Sequence, residues 1–411
     1  MAVYGILCTG MYYFNTEYIS VGVNLMYKFL IAAVLVLISI IYFLIRTELN
    51  RMTLLVRYSG ILLMPHLVML IGSLPLWVFN MQPGNVIRRG LFTQLYGMTI
   101  VLAMAGLLYV FGHRAFWLNL YAMIAANLIT IAEVIRENGF NAYWEELKTL
   151  VTTFAGETGE LMEEVEIHEL TFAVQIMILL LILQFRELHR FRSYYPCLIL
   201  ALFCYLSGFK RIGIASLAAA ILLFVIIEIL DRGKEKHRWL TVFLAVAAVL
   251  LAFGYIAAVR GGIFDYLEEH FELDTMGRSY LSDLIGQYYT LSPAYLGQGA
   301  GWVSRFFDNE DWTIKALHND ILQVYIDMGF WGFWAWMIAY LPFRVRSIQK
   351  IQGRKGGLIC LCVTVCVLIT GMTDNTIYYT YVTGAVSMAV MSYQFEALAE
   401  KQDFGYRGQL L

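Results

Sequence analysis

Apolar residues dominate long, nearly uninterrupted stretches of the chain, and polar residues are concentrated between them. A stretch of about 17 to 25 apolar residues can cross roughly 30 Å of hydrocarbon as a helix. Because lipid satisfies no backbone groups, such stretches must be helical, and the alternating pattern of a membrane β-barrel is not seen. The pattern therefore predicts an all-α integral membrane protein, a polytopic bundle of eleven membrane-spanning helices.

The eleven predicted spans are residues 23–45, 57–79, 91–111, 115–135, 170–185, 194–209, 212–230, 239–259, 319–343, 357–372 and 377–395. Residues 1–14 are a shorter apolar stretch and a candidate twelfth span. A twelfth span here would move the N-terminus across the membrane without changing anything downstream.

Basic residues between the spans predict the orientation. The junctions at 46–57, 186–192, 232–238 and 344–355 are rich in arginine and lysine, and in this topology they fall on one side of the membrane. The positive-inside rule assigns that side to the cytoplasm. His318, at the start of a later span, is therefore expected on the outer side.

We predict a single membrane domain over residues 1–395 and a cytoplasmic tail at 396–411. Two long polar segments lie between spans on the outer side. Residues 137–169 are acidic and are predicted to form an amphipathic helix, or a pair of helices, at the outer surface. Residues 260–317 form a larger extracytoplasmic loop that ends at His318.

Composition narrows the class of partner. The chain is 60% hydrophobic and 15% charged, far more apolar than an ordinary soluble domain. Its formal net charge of -2 gives no bulk attraction for a polyanion, so no nucleic acid partner is expected. The six cysteines lie in apolar runs without histidines at metal-ligand spacing, and we expect them to be buried thiols.

Several cations lie on the outer side, against the positive-inside rule. A cation at the centre of a spanning helix costs about 2.5 to 3.5 kcal/mol, and less near the interface. The cations of the turn "SGFKR" between two spans therefore have either a role that compensates this cost or side chains that extend along the interface to water. The outer cations are Arg88, Arg89, Lys210, Arg211, Arg260, Arg278 and Arg305.

The stretch "HNDILQVYIDMGFWG" combines His318 and Asn319 with Gly329 and Gly332. At 100° per residue, eleven steps bring His318 and Gly329 within about 20° of each other on a helix, and Gly332 within about 60° of that line. We therefore expect the three residues to share one inward face, where the glycines let a neighbouring span approach closely.

Asn319 or Asp320 is the expected N-cap of that helix. The positive end of the helix dipole favours a neutral His318, the form that a general base needs. The structural alternative is an interfacial histidine that only satisfies the helix end.

The outer loop contains "GRSYLSDLIGQYYTLSPAYLGQGAGWVSRFF". Arg278 opens an amphipathic segment, and its planar fork of donors suits phosphate oxygens. Gly297, Gly299 and Gly301 predict a tight backbone path and are a candidate set of anion-facing amides. No strand precedes them, so they do not indicate a dinucleotide site.

Asp374 and Asn375, in "TDN", occupy the turn between the last two spans on the outer side. They are candidates for hydrogen bonding to a sugar or for orienting His318, with helix-end capping as the alternative. No cluster of Asp, Glu and His has the pattern of a metal site, and the acidic residues at 308–311 are expected to be a solvated loop.

Polar residues within the spans are few. His66, Asn127 and Gln175 are expected to make interhelical hydrogen bonds rather than carry protons, since no acidic relay joins them. This pattern argues against an ion-coupled transporter.

These features together resemble the O-antigen ligase and O-antigen polymerase superfamily. The resemblance rests on the order of four motifs: "SGFKR", an outer loop with an early arginine and "SPAYLGQGAG", the His-Asn helix with glycines eleven and fourteen residues after the histidine, and "TDN". It covers about residues 194–395, and the first half is similar only in being polytopic.

The resemblance implies a metal-independent glycosyltransferase without a cofactor, on the outer face of the bacterial cytoplasmic membrane. Its implied partners are membrane lipid, a polyprenyl-diphosphate-linked glycan donor, a glycan acceptor and a chain-length regulator. Arg211 and Arg278 would hold the diphosphate and His318 would activate the acceptor hydroxyl, with inversion at the anomeric carbon. Lys210 replaces a small residue of the family pattern, so either Lys210 or Arg211 is the acting cation. Further candidate substrate-binding residues are Arg88, Arg89, Arg305, Asn319, Asp374 and Asn375.

Within the superfamily, a polymerase adds the glycan to another lipid-linked repeat unit and a ligase adds it to a lipid A core. We favour the polymerase, because the acidic segment at 137–169 offers no basic surface for a phosphorylated core. A hypothesis from another class is a lipid-linked oligosaccharide flippase. It predicts cations along a central cavity, and the spans after residue 194 carry almost none at depth.

Overall fold

A computed structural model describes residues 1–14, 21–152, 168–208, 210–231, 238–271, 277–309 and 316–400. All regular structure in these ranges is helical, without strands. The helices are α1 (Ala2–Tyr13), α2 (Val21–Ile45), α3 (Leu49–Phe79), α4 (Gly84–Phe111), α5 (Arg114–Asn138), α6 (Phe140–Thr152), α7 (His168–Leu183), α8 (Phe185–Leu188), α9 (Tyr194–Ser207), α10 (Arg211–Asp231), α11 (Arg238–Arg260), α12 (Ile263–Phe271), α13 (Arg278–Gly286), α14 (Trp302–Asn309), α15 (Asp320–Ile338), the π-helical turn Ala339–Phe343, α16 (Arg344–Thr370) and α17 (Thr380–Ser392).

Seven helical segments in the described residues are long and apolar enough to cross a membrane. They contain eight of the eleven predicted spans, because Asp320–Thr370 holds two of them. The other three predicted spans correspond to the shorter helices α7, α9 and α17. The structure therefore agrees with the multi-pass helical membrane protein that the hydrophobic pattern predicts.

The helices form two compact units, each discontinuous in sequence. Unit 1 comprises Met1–Ser59, Thr99–Val225 and Tyr379–Leu411, and unit 2 comprises Gly60–Met98 and Ile226–Tyr378. The predicted single domain over residues 1–395 stays a prediction.

Helix α7 lies in the core of unit 1, where every residue from 170 to 181 is buried. It contacts α5, α9 and α17. The Gln175 Nε2 donates to the carbonyl of Gly213 at 3.0 Å and to the Ser216 hydroxyl at 2.6 Å, both in α10. The predicted interhelical bond of Gln175 is thus confirmed, whereas Asn127 donates to the Met123 carbonyl of its own helix.

Three segments of unit 1 concern predictions made from the sequence: the candidate twelfth span, the acidic segment and the tail. Helix α1 extends only about 18 Å, less than the roughly 30 Å that a span needs, and Tyr12 donates to Asn119 of α5. The acidic segment 137–169 begins at the end of α5 and continues into α6, and residues 153–167 lie outside the described residues. The predicted tail begins within a helical stretch, 395–400, where Glu396 accepts from Arg51 at 2.8 Å, and residues 401–411 also lie outside the description.

Two glycines interrupt the helical segment Asp320–Thr370 in unit 2. Gly329 has φ 69° and ψ -175°, and Gly353 has φ 76° and ψ -175°. A Cβ on Gly357 would lie 2.7 Å from the Cβ of Gln349, although residues eight apart in a straight helix are separated by about 12 Å. The chain therefore reverses direction at Gly353 in a tight helical hairpin.

Gly329 makes a second hairpin of the same kind. A Cβ on Gly332 would lie 3.0 Å from the Cβ of Met328, where a straight helix separates such a pair by about 5 to 6 Å. Across the break, the rings of Tyr325 and Phe333 are 5.6 Å apart, and the ring of Phe253 contacts both arms. The segment thus consists of a half-helix, 320–328, followed by two longer helices, 330–352 and 354–370.

The hairpins correct the sequence interpretation in two places. The predicted spans 319–343 and 357–372 have shifted bounds, and the junction at 344–355 is mostly helical. The expectation that His318, Gly329 and Gly332 share one face of a continuous helix is wrong, because His318 precedes the N-cap and Gly329 ends the half-helix. The close neighbour that Gly332 admits is Met328 of its own hairpin rather than another span.

A loop segment, 295–299, satisfies the backbone at the Gly329 break. The amides of Gln298 and Gly299 donate to the carbonyls of Ile326 and Asp327, at 3.1 and 2.7 Å. The amide of Phe330, which opens the second arm, donates to the carbonyl of Tyr295 at 2.8 Å. Helix ends leave unpaired carbonyls and amides, which lipid cannot satisfy, so the loop makes this reversal tolerable inside an apolar protein.

Candidate functional site

His318 lies just before the half-helix 320–328 of unit 2. Asn319 is the N-cap, and its side-chain oxygen accepts from the amide of Leu322 at 3.1 Å, which settles the choice between Asn319 and Asp320. His318 itself has φ 49°, in the left-handed region that non-glycine residues adopt at a cost. Its side chain is 39% exposed, so a substrate can reach the imidazole.

The turn between α16 and α17, residues 371–377, faces His318. The His318 Nδ1 lies 3.8 Å from the Oδ1 of Asp374, whose side chain is only 7% exposed. This separation is beyond hydrogen-bond length, and the Asp374 Oδ1 also accepts from the amide of Asn375 at 2.7 Å. The carboxylate of Asp374 therefore lies next to one ring nitrogen of the half-exposed His318.

Two other elements contact the turn through side chains. Tyr255 of α11 donates to the Met372 carbonyl and accepts from the Asn319 side chain at 3.0 Å. Arg278 of α13 donates through Nε and Nη2 to the carbonyl of Thr373, at 3.2 and 2.9 Å. Residues that are distant in sequence thus meet around Asp374, within one unit.

This arrangement can perform general-base chemistry. When an imidazole nitrogen that carries its proton faces a carboxylate, the other nitrogen is left as a proton acceptor. The long His318–Asp374 distance needs to shorten by about 1 Å to form a hydrogen bond, as is common when catalytic groups tighten around substrate. The Arg278 guanidinium supplies a fixed positive charge beside the same turn.

The amphipathic segment predicted after Arg278 is confirmed as α13. Leu281 and Ile285 are buried, and Tyr280 is exposed. Arg260, another of the cations predicted on the outer side, lies over the ring of Tyr289 at 5.4 Å. Burial raises the pKa of the Tyr289 phenol to about 12, although the Arg260 charge acts in the opposite direction, so this contact is with a neutral ring.

The three loop glycines hold the loop against other backbone. Gly297, Gly299 and Gly301 all have φ between 90° and 96°. A Cβ on Gly297 would collide with the backbone of Gly329, and one on Gly301 would lie 2.6 Å from the amide of Gly90. Only residues without a side chain fit these contacts.

Gly299 and Gly301 do not offer their amides to an external anion, because both amides donate to Asp327. The amides of Gln298 and Gly299 pair with the half-helix, and the amide of Ala300 donates to the Ser73 hydroxyl at 2.9 Å. The amide of Gly301 donates to the carboxylate of Asp327 at 3.2 Å. These donors stabilise the protein itself.

Asp327 is a structural residue that the sequence interpretation missed. It is fully buried, and its two carboxylate oxygens accept from the amides of Gly301 and Val303 at the start of α14. An acidic side chain within an apolar stretch is energetically costly unless other groups compensate its charge. Asp327 could have been found in the sequence by this rule.

The remaining predicted cations occupy separate positions. Arg88 and Arg89 are exposed in the first turns of α4, next to Gly90, which packs on the Ala300 carbonyl. Arg305 is half-exposed on α14. Lys210 and Arg211 belong to unit 1, where Arg211 begins α10 and is exposed.

Two buried arginines lie on the helices around Gly353. The Arg344 guanidinium lies 4.5 Å above the Tyr340 ring, and Arg354 donates to Glu228 at 2.6 Å. His66 makes the predicted interhelical bond, 2.9 Å from the side-chain oxygen of Gln94. Arg354 and His66 thus each bond to a side chain of another helix in unit 2.

No group of three or more His, Cys, Asp or Glu side chains in the described part of the chain is placed to hold a metal ion. The six cysteines are buried and are not joined in disulfides. No protein-family model matches this chain, and no curated protein matches it in sequence.

Proposed function

We propose that this protein is a membrane glycosyltransferase, a polysaccharide polymerase that moves a growing glycan from a polyprenyl diphosphate carrier to a lipid-linked repeat unit. The observation that carries the proposal is the convergence of His318, Arg278 and Asp374 in unit 2. Their motifs lie far apart in sequence, with Arg278 and Thr373 separated by 95 residues. They are three of the four motifs on which the resemblance to the superfamily rests.

In the proposed reaction His318 is the general base. The imidazole accepts the proton of an acceptor hydroxyl through Nε2, while Asp374 orients the ring from the side of Nδ1. The hydroxyl oxygen bonds to the anomeric carbon as the bond from that carbon to the diphosphate oxygen breaks. The diphosphate leaves with the electron pair from the opposite face, so the configuration inverts.

Arg278 stabilises the charge that develops on the leaving diphosphate. Two of its nitrogens donate to the Thr373 carbonyl, which fixes the plane of the guanidinium before substrate arrives. Preorganised charges of this kind lower a barrier without reorganisation. Arg211 lies in unit 1, and its role at the diphosphate remains the expectation from the resemblance.

We propose eleven membrane crossings, with 330–352 and 354–370 in place of two spans predicted from the sequence. The half-helix 320–328 runs toward the outer side as far as Gly329 and adds no crossing. In this topology the Gly329 hairpin and the loop at 295–301 face the periplasm or exterior of a bacterial cytoplasmic membrane. The Gly353 hairpin, with exposed Arg346 and Lys350, faces the cytoplasm.

The proposal is tested with purified protein in lipid vesicles, supplied with a polyprenyl-diphosphate-linked repeat unit. His318→Ala is expected to lower the rate of chain growth by about 10² to 10⁴-fold, the usual worth of a general base. His318→Gly serves as a second variant, because glycine accepts the left-handed backbone at this position.

The matched control is His270→Ala, which removes an exposed histidine of α12 in the same outer loop and is expected to leave the rate unchanged. EDTA is likewise expected to have no effect, because the proposed mechanism uses arginine rather than a metal. Wild-type rates in both His318 variants would contradict the base assignment.

A further inference from the structure

Asp320, the residue after the His318–Asn319 pair, contacts both ends of the turn that carries Asp374. Its backbone amide donates to the Gly371 carbonyl at 2.9 Å. At the other end of the turn, the amide of Ile377 donates to its Oδ2. One residue therefore spans the turn 371–377 from the first position to the last.

The surroundings of Asp320 are closed to solvent. The residue has 0% relative exposure, and its Oδ1 is buried with no hydrogen-bond partner among the described residues. A buried carboxylate oxygen without a partner lowers stability. Stability alone therefore does not explain why a carboxylate occupies this position.

We propose that Asp320 is a positioning residue that sets the distance between His318 and Asp374. His318 is two residues before Asp320 in the chain, and Asp374 lies midway between the two anchored ends of the turn. Any slip between the half-helix and the turn changes the separation of imidazole and carboxylate. The catalytic consequence of this role rests on the proposed function, whereas the position of His318 does not.

Two substitutions separate the contact from the charge. Asn at position 320 keeps an oxygen that can accept from the Ile377 amide, and Ala removes it. In the chain-growth assay, Asp320→Ala is expected to lower kcat by about 100-fold with little change in KM, because small displacements of catalytic groups have effects of that size. Asp320→Asn is expected to retain most of kcat.

Asp327 offers the matched control, since it lies on the same half-helix with an equally buried carboxylate that accepts two backbone amides. Asp327→Ala is expected to lower the thermal unfolding temperature at least as much as Asp320→Ala, with a much smaller loss of kcat below that temperature. Equal losses of kcat in the two variants would show that loosening the half-helix is sufficient and would overturn the positioning role. So would an Asp320→Asn variant as inactive as Asp320→Ala.

A second measurement needs no enzymatic activity. Diethyl pyrocarbonate modifies exposed imidazoles, and mass spectrometry of the peptide containing His318 gives its rate of modification. We expect that rate to rise severalfold in Asp320→Ala and to stay at the wild-type value in Asp320→Asn and Asp327→Asn. An unchanged rate in Asp320→Ala would overturn the positioning role even if the wild-type protein elongates no glycan, and a raised rate with an inactive wild type would contradict only the proposed function.

Discussion

At the scale of single residues, His318 combines a strained backbone with an imidazole that solvent reaches. A left-handed conformation costs a non-glycine residue about 1 to 3 kcal/mol, and it persists only where neighbouring contacts enforce it. Here the N-cap bond of Asn319 and the contacts of Asp320 enforce it. The conformation places the ring beside Asp374 rather than along the half-helix, which is the placement a base with a carboxylate behind it requires.

The first residue-scale prediction concerns Arg278. Arg278→Ala removes both the charge and the two contacts to Thr373, and we expect the rate of chain growth to fall by about 10² to 10³-fold, as when a preorganised donor is lost. Arg278→Lys keeps the charge but lacks the planar fork, so it is expected to recover little of the rate. Arg346→Ala removes an exposed arginine and is the control. A wild-type rate for Arg278→Lys would show that charge alone is sufficient.

At the scale of elements, both hairpins use the same short pattern. A glycine with positive φ forms the reversal, and a second glycine three residues later lets the returning arm approach, as in Gly329 with Gly332 and Gly353 with Gly356. The Gly329 hairpin is the more constrained of the two, because its backbone also touches Leu296 and Gly297 of the loop. Around Gly353 no atom lies within 4 Å of an added Cβ.

This difference predicts an order of stability for glycine-to-alanine variants. Gly353→Ala carries only the backbone penalty, about 1 to 2 kcal/mol. Gly329→Ala adds a collision with the Leu296 backbone and is expected to cost about 3 kcal/mol. Gly254→Ala, in the open middle of α11, is the control and is expected to stabilise the protein by about 1 kcal/mol.

Thermal unfolding in detergent measures the order. If Gly329→Ala were no less stable than Gly353→Ala, the loop at 295–299 would not constrain the first hairpin.

The helices were predictable from the sequence because the length of an apolar stretch determines whether it can span lipid as a helix. The hairpins were not, because hydropathy along "YIDMGFWGFW" is continuous and the helical period carries no sign of reversal. Asp327 in the middle of that stretch was the available signal. The types of the site residues were predictable as well, but the contact of His318 with Asp374 depends on the two reversals that place their segments together.

At the scale of the whole molecule, the hairpins preserve the orientation that the basic residues predict. In the proposed topology a half-helix that returns on its own side adds no crossing, so 330–352 and 354–370 lead from the outer side to the cytoplasm and back. Exposed Arg346 and Lys350 then lie before the cytoplasmic reversal at Gly353, consistent with the positive-inside rule.

Cysteine labelling tests this orientation directly. The six native cysteines are buried and are expected to react slowly with a membrane-impermeant thiol reagent, so an added cysteine gives a readable signal. Ala294 is exposed in the predicted outer loop beside the Gly329 hairpin, and Lys350 is exposed near the Gly353 hairpin. We expect Ala294→Cys to be labelled in cells with an intact cytoplasmic membrane, and Lys350→Cys only after permeabilisation. The opposite pattern would place His318 on the cytoplasmic side, where an acceptor glycan displayed outside the cell could not reach it, and would contradict the proposed function at its most basic requirement.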